Sequence, residues 1–279
     1  MKKNLAIISL CVLITGFVQA QRPLAPPPVA DTSAAAGAKK DLPAKTGPKS
    51  FKEFITKKAV TQKGVFTVHL QDDKFYFDIQ DSLLGRELIA VTRYAKVAGG
   101  ARKYGGEQVN EQTIQFEKGP NNRIFMRVVS LISRADSTQT IAKAVKNSYL
   151  DPIVAAFDVK AYGKDSTSSI IDVTDFFKGD NQAVSLSSFE KRNFNLSGLA
   201  SDRSYIETIK SYPINIEVKT VKTYNASSPM PGSPAGGSFI PAAANAGAVT
   251  FELNTSILLL PKTPMGRRLF DSRVGYFAD

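Results

Sequence analysis

The sequence has very few of the residues that most often hold metals or cross-link a chain. It contains one histidine (His69), one cysteine (Cys11) and no tryptophan in 279 residues. A zinc protease of the H-E-x-x-H type needs two histidines one helical turn apart, so a single histidine excludes that site within this sequence. A single cysteine excludes an intramolecular disulfide, and the fold must therefore be stabilised by an ordinary hydrophobic core.

Long hydrophobic runs are also scarce, and the longest one lies near the amino terminus. A basic Met1-Lys2-Lys3 precedes the apolar residues 5–18, and Val18-Gln19-Ala20 fits a small-residue cleavage site. The run is shorter than the about 20 apolar residues of a membrane helix, so no stable membrane span is expected. We interpret residues 1–20 as a cleaved signal peptide, with an uncleaved anchor as the alternative. The protein is then exported and is periplasmic, cell-surface or extracellular.

Two segments lack the residues that build a core. Residues 21–49 are rich in Pro and Ala, and residues 227–247 are rich in Gly, Pro, Ala and Ser. Such compositions bury too little apolar surface to offset the entropy of ordering. We interpret the first segment as a disordered tether and the second as a flexible loop. The rest divides into a short N-terminal helix-hairpin domain, residues 50–95, and a larger β-rich domain, residues 96–279.

Acidic residues are fewer than basic ones, but the imbalance is not clustered. There are 36 Lys and Arg against 25 Asp and Glu, a formal net charge of +11. Basic residues are interspersed with acidic ones, and no aromatic-basic platform for single-stranded nucleic acid is present. Nucleic acid is therefore not an expected partner. Attraction to anionic cell-surface polymers through net charge stays open.

Alternation of apolar and polar residues dominates the ordered part and predicts strands. Residues 214, 216 and 218 are expected to face inward, with 215, 217 and 219 outward. About ten strands and no strand-helix-strand rhythm predict a mainly β protein with antiparallel, sandwich- or saddle-like sheets and two to four short helices. The expected strands include residues 66–70, 75–79, 88–97, 114–116, 124–128, 153–159, 214–219 and 249–260.

Short helices are predicted by capping patterns. Ser50 and Glu53 form a capping-box pattern before apolar residues at helical spacing up to Ala59, with Gly64 as the end of the helix. A second helix is expected at residues 141–148 and a third directly after residues 172–175. Ser204 and Glu207 give a similar pattern, which predicts a helix over residues 204–210 that Pro213 stops.

Three sequence features look like chemical sites but have simpler interpretations. His69 lies in a predicted strand and is interpreted as a surface or packing residue. Asp72 and Asp73 form a carboxylate pair, but they fall where a hairpin turn favours Asp. The glycine-rich residues 99–106 lack the spacing of a phosphate-binding loop and precede a strand, so a hairpin loop is predicted.

Two further features concern metal and partners. Asp172, Asp175 and Asp180 are a candidate calcium set, but their spacing misses the EF-hand loop, and helix capping is the preferred interpretation of the first two. The run at residues 257–260 is apolar on both strand faces, so another element is expected to bury its second face. We therefore expect an exposed apolar patch near four side chains: Leu258, Leu260, Tyr276 and Phe277.

Residues 63–93 (KGVFTVHLQDDKFYFDIQDSLLGRELIAVTR) resemble the short N-terminal domain of a family of exported bacterial zinc-dependent metalloproteases. That domain carries a similar hairpin, an I-x-D-S-L-L-G-R stretch and a strand. The later part of the chain resembles the larger domain of unknown function that follows there. The motifs that carry this second resemblance are DPI at 151–153, IDVTDFF at 171–177, DRSYI at 202–206, KSYP at 210–213 and RVGYF at 273–277.

The resemblance implies a zincin-like protease in which the chain continues past the RVGYF run into a metal-binding catalytic domain. No catalytic, cofactor-binding or metal-binding residue of the family maps onto this sequence, so this chain alone is not expected to be an enzyme. Zinc is expected only in the catalytic domain of the full-length relatives. The implied function is that of a non-catalytic N-terminal region that packs on or shields the protease domain, its partner.

A second function class stays open beside the first. As the alternative to that function, the chain is a stand-alone exported binding module that presents a site for a glycan or a protein on its tether. A truncated precursor, a fragment and a natural stand-alone protein are not distinguished by the sequence. Oligomeric state and the order of the strands are likewise undetermined.

Overall fold

The computed structural model describes residues 47–130, 135, 138–227, 245–263 and 265. All of these belong to one compact unit, Lys45–Asp279. The predicted signal peptide, most of the tether, most of the loop at 227–247, and Tyr276 with Phe277 lie outside the described residues. Among the described residues, no helix is long and apolar enough to cross a membrane.

Strands make up most of the described chain, and the helices are short. The helices are α1 (Phe51–Phe54), α2 (Ala142–Ser148), α3 (Thr174–Lys178) and α4 (Ser188–Asn193). The strands are β1 (Val60–Gln62), β2 (Thr67–Gln71), β3 (Lys74–Gln80), β4 (Glu87–Lys96), β5 (Gln108–Gly119), β6 (Arg123–Val128), β7 (Ile153–Tyr162), β8 (Ser168–Asp172), β9 (Leu196–Leu199), β10 (Tyr205–Ser211), β11 (Asn215–Ala226) and β12 (Ala248–Leu259).

The strands of the described ranges form a single antiparallel sheet. Its order is β1-β2-β3-β8-β7-β6-β5-β4-β12-β11-β10, and β9 adds to β11 beside β10. Most pairs of neighbouring strands are consecutive in the sequence. Two pairs, β3 with β8 and β4 with β12, join strands that are far apart in the sequence. The predicted mainly β, antiparallel fold class is confirmed. The described strands form one sheet, whereas a sandwich would have two.

The sheet curls until its two ends touch. The amide of Val65, just before β2, donates to the Tyr212 carbonyl at 2.7 Å, and Ser211 Oγ donates to the Phe66 carbonyl at 2.7 Å. Gly64 permits this approach, because a Cβ on it would lie 2.2 Å from Ser211 Oγ and 2.6 Å from the Tyr212 carbonyl. Strongly twisted sheets of this strand number curl rather than stay flat. We call these contacts the seam.

The main core lies on the concave face of the curled sheet. It draws side chains from both ends of the strand order, including Phe77 of β3, Phe116 of β5 and Ile216 of β11. The rings of Phe66 and Phe116 meet edge to face with centroids 5.6 Å apart. A smaller cluster around Tyr94 and Phe251 continues this core. Burial on this face explains the alternation that the sequence shows.

A separate, smaller cluster lies on the convex face under α1. Ile55 packs there with Tyr76, Ala161 and Ile170. The capping box of Ser50 and Glu53 is formed, since Ser50 Oγ and its amide both contact the Glu53 carboxylate, at 2.8 and 3.0 Å. Thus α1 covers the opposite face of the strands that contribute to the main core.

Two helix predictions require correction. The segment predicted as a helix at 204–210 is strand β10, which pairs with β11, because Tyr205, Ile206 and Ile209 suit a sheet and an edge of β11 is available. The Ser204 hydroxyl donates to Ala200 O and accepts from Thr223 N, so it does not cap a helix. The helices predicted at 141–148 and after 172–175 are present as α2 and α3.

The first helix is shorter than predicted. It ends at Phe54, because Thr56 donates through its amide and its hydroxyl to Gln71 Oε1 and turns the chain toward β1. Of the three residues expected to face inward from β11, Ile216 and Val218 are buried, but Ile214 is 61 % exposed. Ile214 lies in the β10–β11 turn, beyond the last pair of strand residues.

Candidate functional site

His69 is a packing residue on the convex face. It is 2 % exposed, and its Nδ1 lies 2.8 Å from Thr61 Oγ1. Its ring meets Phe51 of α1 edge to face with centroids 5.9 Å apart, and its Nε2 lies 3.8 Å from Asp78 Oδ2. The packing interpretation made from the sequence is therefore confirmed, and the alternative of a surface position is wrong.

The two groups of aspartates that the sequence analysis considered as sites have structural roles in a turn and at a helix start. Asp72 and Asp73 form the β2–β3 turn with φ of 51° and 58°, a backbone conformation that Asp tolerates. Asp172 accepts from the Thr174 amide at 3.0 Å and thereby holds the start of α3. Across the described ranges, no three His, Cys, Asp or Glu residues lie close enough together to hold a metal ion.

The glycine-rich residues 99–106 form the predicted hairpin loop between β4 and β5. The Gly106 amide donates to the Tyr94 carbonyl at 2.7 Å and closes the loop. Lys103 in this loop reaches Glu190 of α4 at 3.5 Å, and Glu190 accepts from the Tyr94 hydroxyl at 3.0 Å. The loop is therefore bound to the body of the protein by a buried carboxylate.

A buried polar network on the concave face was not found from the sequence. Lys222 of β11 is 1 % exposed, and its ammonium donates to the carbonyls of Phe177, at 2.8 Å, and Gly179. Asp180 follows directly in the chain. It accepts from Lys191 Nζ at 2.6 Å and from the Tyr224 hydroxyl at 2.8 Å.

Electrostatics in this network follow from burial. Loss of hydration lowers the pKa of Lys222 to about 8, nearby Asp180 opposes the shift, and Lys191 adds to it. Burial raises the pKa of Tyr224 far above its usual range. One feature of the sequence could have indicated this buried network. Lys222 occupies an inward position of an alternating strand, two residues before Tyr224. The network joins α3 and α4 to the sheet.

An amide-lined cleft of about 430 Å³ lies beside the network. The amides of Asn181 and Gln182 are used internally, since Asn181 Nδ2 donates to Val154 O at 2.9 Å and Gln182 Nε2 to Ser188 Oγ at 2.7 Å. Asn110 donates to the carbonyls of Gln182 and Ser185. These amides hold the connection between α3 and α4 in place.

A second cavity, of about 960 Å³, lies between α1 and the β7–β8 turn. We call it the basic cavity, because four lysines and no acidic residue line it: Lys49, Lys52, Lys57 and Lys164. The lining also contains two aromatic rings, Phe51 and Tyr162. Its walls are fixed to β7, as the Lys49 amide donates to Lys160 O at 2.9 Å and the Tyr162 amide to Lys49 O at 3.2 Å.

The end of the sheet next to the seam exposes apolar side chains. Tyr212 is 41 % exposed and Ile214 61 %, both in the β10–β11 turn, and Leu258 of β12 is 37 % exposed. Asn215 pairs with Leu258, and the Leu259 amide donates to Ile214 O at 2.9 Å, so these residues are neighbours. We call Tyr212, Ile214 and Leu258, together with the half-buried Leu260, the exit rim. Exposure of Leu258 agrees with the predicted patch, whose other half lies outside the described residues.

Comparison with known proteins gives two matches to protein families. Residues 106–279 match the family described as Domain of unknown function (DUF5117), and residues 48–97 match Domain of unknown function (DUF5118). No curated protein and no solved structure matches the chain significantly. Both matched segments contribute strands to the same sheet, with β1 to β4 from the first and β5 to β12 from the second.

Proposed function

We propose that this chain, which belongs to the family of the Domain of unknown function DUF5117, is the non-catalytic N-terminal region of an exported zinc-dependent metalloprotease precursor. In this role it packs on the protease domain and shields it. The family membership carries no activity by itself. The link to proteases rests on the resemblance of residues 63–93 and of the later motifs up to RVGYF.

The observation that supports the proposal is the exit rim. β12 ends at Leu259, beside the exposed Ile214 and Leu258. The described chain leaves the sheet beside these side chains, which places them within reach of a domain that follows β12. Exposed apolar clusters of this kind mark interaction surfaces more often than isolated exposed residues do. The proposed occupant of the rim is therefore the protease domain.

The proposal predicts that the chain without its partner domain associates with itself through the exit rim. Sedimentation velocity of residues 21–279 is expected to show concentration-dependent oligomers. The double variant Ile214→Ser/Leu258→Ser is expected to be more monomeric, because it removes the exposed apolar surface. The matched control is Ile141→Ser/Leu150→Ser, which removes two apolar side chains near α2 that are at least as exposed in sum (57 and 83 %) and is expected to behave as wild type.

Two results would count against this function. A wild-type chain that stays monomeric at high concentration, with no effect of the rim substitutions, removes the physical support for a missing partner. The genomic reading frame gives an independent test. An in-frame continuation past Asp279 that encodes H-E-x-x-H supports the precursor, whereas a stop codon directly after it supports a stand-alone protein.

The second candidate is a stand-alone exported binding module. The observation that favours it is the basic cavity, whose lysines, rings and size are those of a ligand site. The two roles use different surfaces, because the basic cavity is formed by α1 and the β7–β8 turn, and the exit rim by β12 and the β10–β11 turn.

A further inference from the structure

The lysines of the basic cavity converge from two separate parts of the chain. Lys49, Lys52 and Lys57 belong to the segment around α1, and Lys164 belongs to the β7–β8 turn, more than a hundred residues later. The sequence shows these lysines as scattered, and the fold brings the two segments together through the parallel contact of Lys49 with Ala161 and the packing of Ile55 against Ala161. The convergence is thus a property of the fold.

Among the described residues, the charges of these ammonium groups are only partly compensated. Within the described residues, none of the four lies within 4.0 Å of a carboxylate. Hydrogen bonds from Ser50, with a smaller contribution from the charge of Lys49, lower the pKa of Glu53. Asp165 accepts from the Thr167 amide at 3.1 Å. Like charges gathered around a concave surface repel each other and attract anions.

The aromatic lining adds a second kind of contact. Lys164 Nζ lies 5.2 Å from the centre of the Phe51 ring, which holds that ammonium at the edge of the cavity. Tyr162 is 37 % exposed, and the lining also contains the hydroxyl groups of Ser50, Thr56 and Ser166. The first two donate to Glu53 and Gln71, so toward a ligand they act as acceptors. Aromatic faces pack against the apolar faces of sugar rings, and hydroxyls exchange hydrogen bonds with sugar hydroxyls.

The size of the cavity limits the ligand. About 960 Å³ lies at the upper end of the range for small-ligand sites. Nucleic acid needs a basic track that follows its backbone, and here the four lysines are confined to one cavity. Arginine can form two parallel hydrogen bonds to one phosphate, whereas lysine binds single anionic oxygens. A cavity with lysines and no arginine is therefore less specific for phosphate.

From this geometry we propose that the basic cavity binds a short acidic oligosaccharide, one that carries carboxylate or sulfate groups on neighbouring sugar units. The lysines contact the anionic groups, and Tyr162 with Phe51 packs against the sugar rings. This inference deepens the second candidate function and is independent of the exit rim.

The test is isothermal titration calorimetry on residues 21–279 with three tetrasaccharides of similar size and one smaller polyanion. The probes are a tetrasaccharide of uronic acids, a sulfated tetrasaccharide, a neutral glucose tetrasaccharide and inorganic tripolyphosphate. At least one acidic saccharide is expected to bind, and the affinity is expected to fall with added salt. The neutral saccharide and tripolyphosphate are expected to bind much more weakly.

Two variants assign binding to the cavity. Lys52→Glu/Lys57→Glu is expected to weaken acidic saccharide binding about tenfold or more, because attraction becomes repulsion at two positions. The matched control, Lys143→Glu/Lys146→Glu on α2, changes net charge equally and is expected to have little effect. Tyr162→Ala is expected to weaken binding without reducing its dependence on salt, with Phe189→Ala as the control for an exposed ring.

Several outcomes overturn the proposal. Absence of binding of both acidic saccharides does so, as does equal weakening by the two lysine pairs, which would mean that only net charge matters. Tripolyphosphate that binds as tightly as the saccharides, through the same lysines, would make the cavity a phosphate site. Circular dichroism of each variant shows that it is folded, and the association of the chain through the exit rim is expected to be unchanged.

Discussion

Lys222 shows how one residue can conflict with the pattern of its strand and still be accommodated. Its neighbours at inward positions of β11 are Val218, Thr220 and Tyr224, which suit a buried face. The ammonium is accommodated because α3 ends against it and offers the carbonyls of Phe177 and Gly179. Helix carboxyl ends leave such carbonyls without partners in the helix, and a cation there is favourable.

The buried lysine predicts a dependence of stability on pH. Burial lowers the pKa of Lys222 to about 8 from its ordinary value of 10.5. Between these values the unfolded chain binds more protons than the folded chain, so the free energy of unfolding is expected to rise with pH, by up to about 3 kcal/mol. Above about pH 10, Tyr94 and Tyr224 act in the opposite direction, because burial raises the pKa of both and only the unfolded chain then loses their protons.

This prediction is checked by urea unfolding from pH 7.5 to 9.5, roughly the rising part of the window. In Lys222→Met the rise is expected to be absent, while Lys210→Met, on the exposed face of β10, is expected to keep it. The same rise in Lys222→Met and wild type would show that another group causes it.

At the scale of elements, the seam depends on a residue that has no side chain. Gly64 lies against Ser211 and the Tyr212 carbonyl, and no methyl group fits between them. The two contacts it permits join the ends of the strand order and close the core around Phe66. A sheet with its ends apart would leave that core partly open to water.

Gly64→Ala is therefore expected to destabilise the protein by about 2–3 kcal/mol, because the backbone of one end must move away from the other. The measurement is the midpoint of urea unfolding with an unchanged slope. Gly198→Ala in β9 is the control, since a Cβ there meets no atom within 4 Å. Equal stability of the two variants would mean that the seam contributes little.

At the scale of the whole molecule, the two matched family segments form one folding unit. The first segment supplies Val68, Phe77 and Leu88 to the core that Ile216 and Ile257 complete from the second. Strand β4 lies between β5 and β12, with no free edge along most of its length. Neither segment can bury its apolar face without the other.

Residues 45–279 are therefore expected to unfold in a single cooperative transition, with coincident curves from tyrosine fluorescence and far-ultraviolet circular dichroism. Residues 48–97 expressed alone are expected to be unfolded. A second transition, or a cooperative melt of the isolated segment, would show that the first segment is an independent domain.

The sequence by itself determined most of the strands and the chemistry of their turns. Alternation identified most strands, and turn residues such as Asp72, Asp73, Asn121 and Asn122 adopt the positive φ that short polar side chains tolerate. The capping box at Ser50 and Glu53 was equally visible, because it depends on groups within four residues. Turns and helix caps can be predicted from the sequence because the interacting groups lie within a few residues of each other.

Only the tertiary structure decided which strands meet and which charges converge. β10 was predicted to be a helix because capping residues are local, whereas the free edge of β11 that makes it a strand is not. The pairing of β3 with β8 and of β4 with β12 joins distant segments, and no local pattern specifies it. The basic cavity and the Lys222 network arise from such long-range contacts, because their residues are far apart in the chain and become neighbours only in the folded sheet.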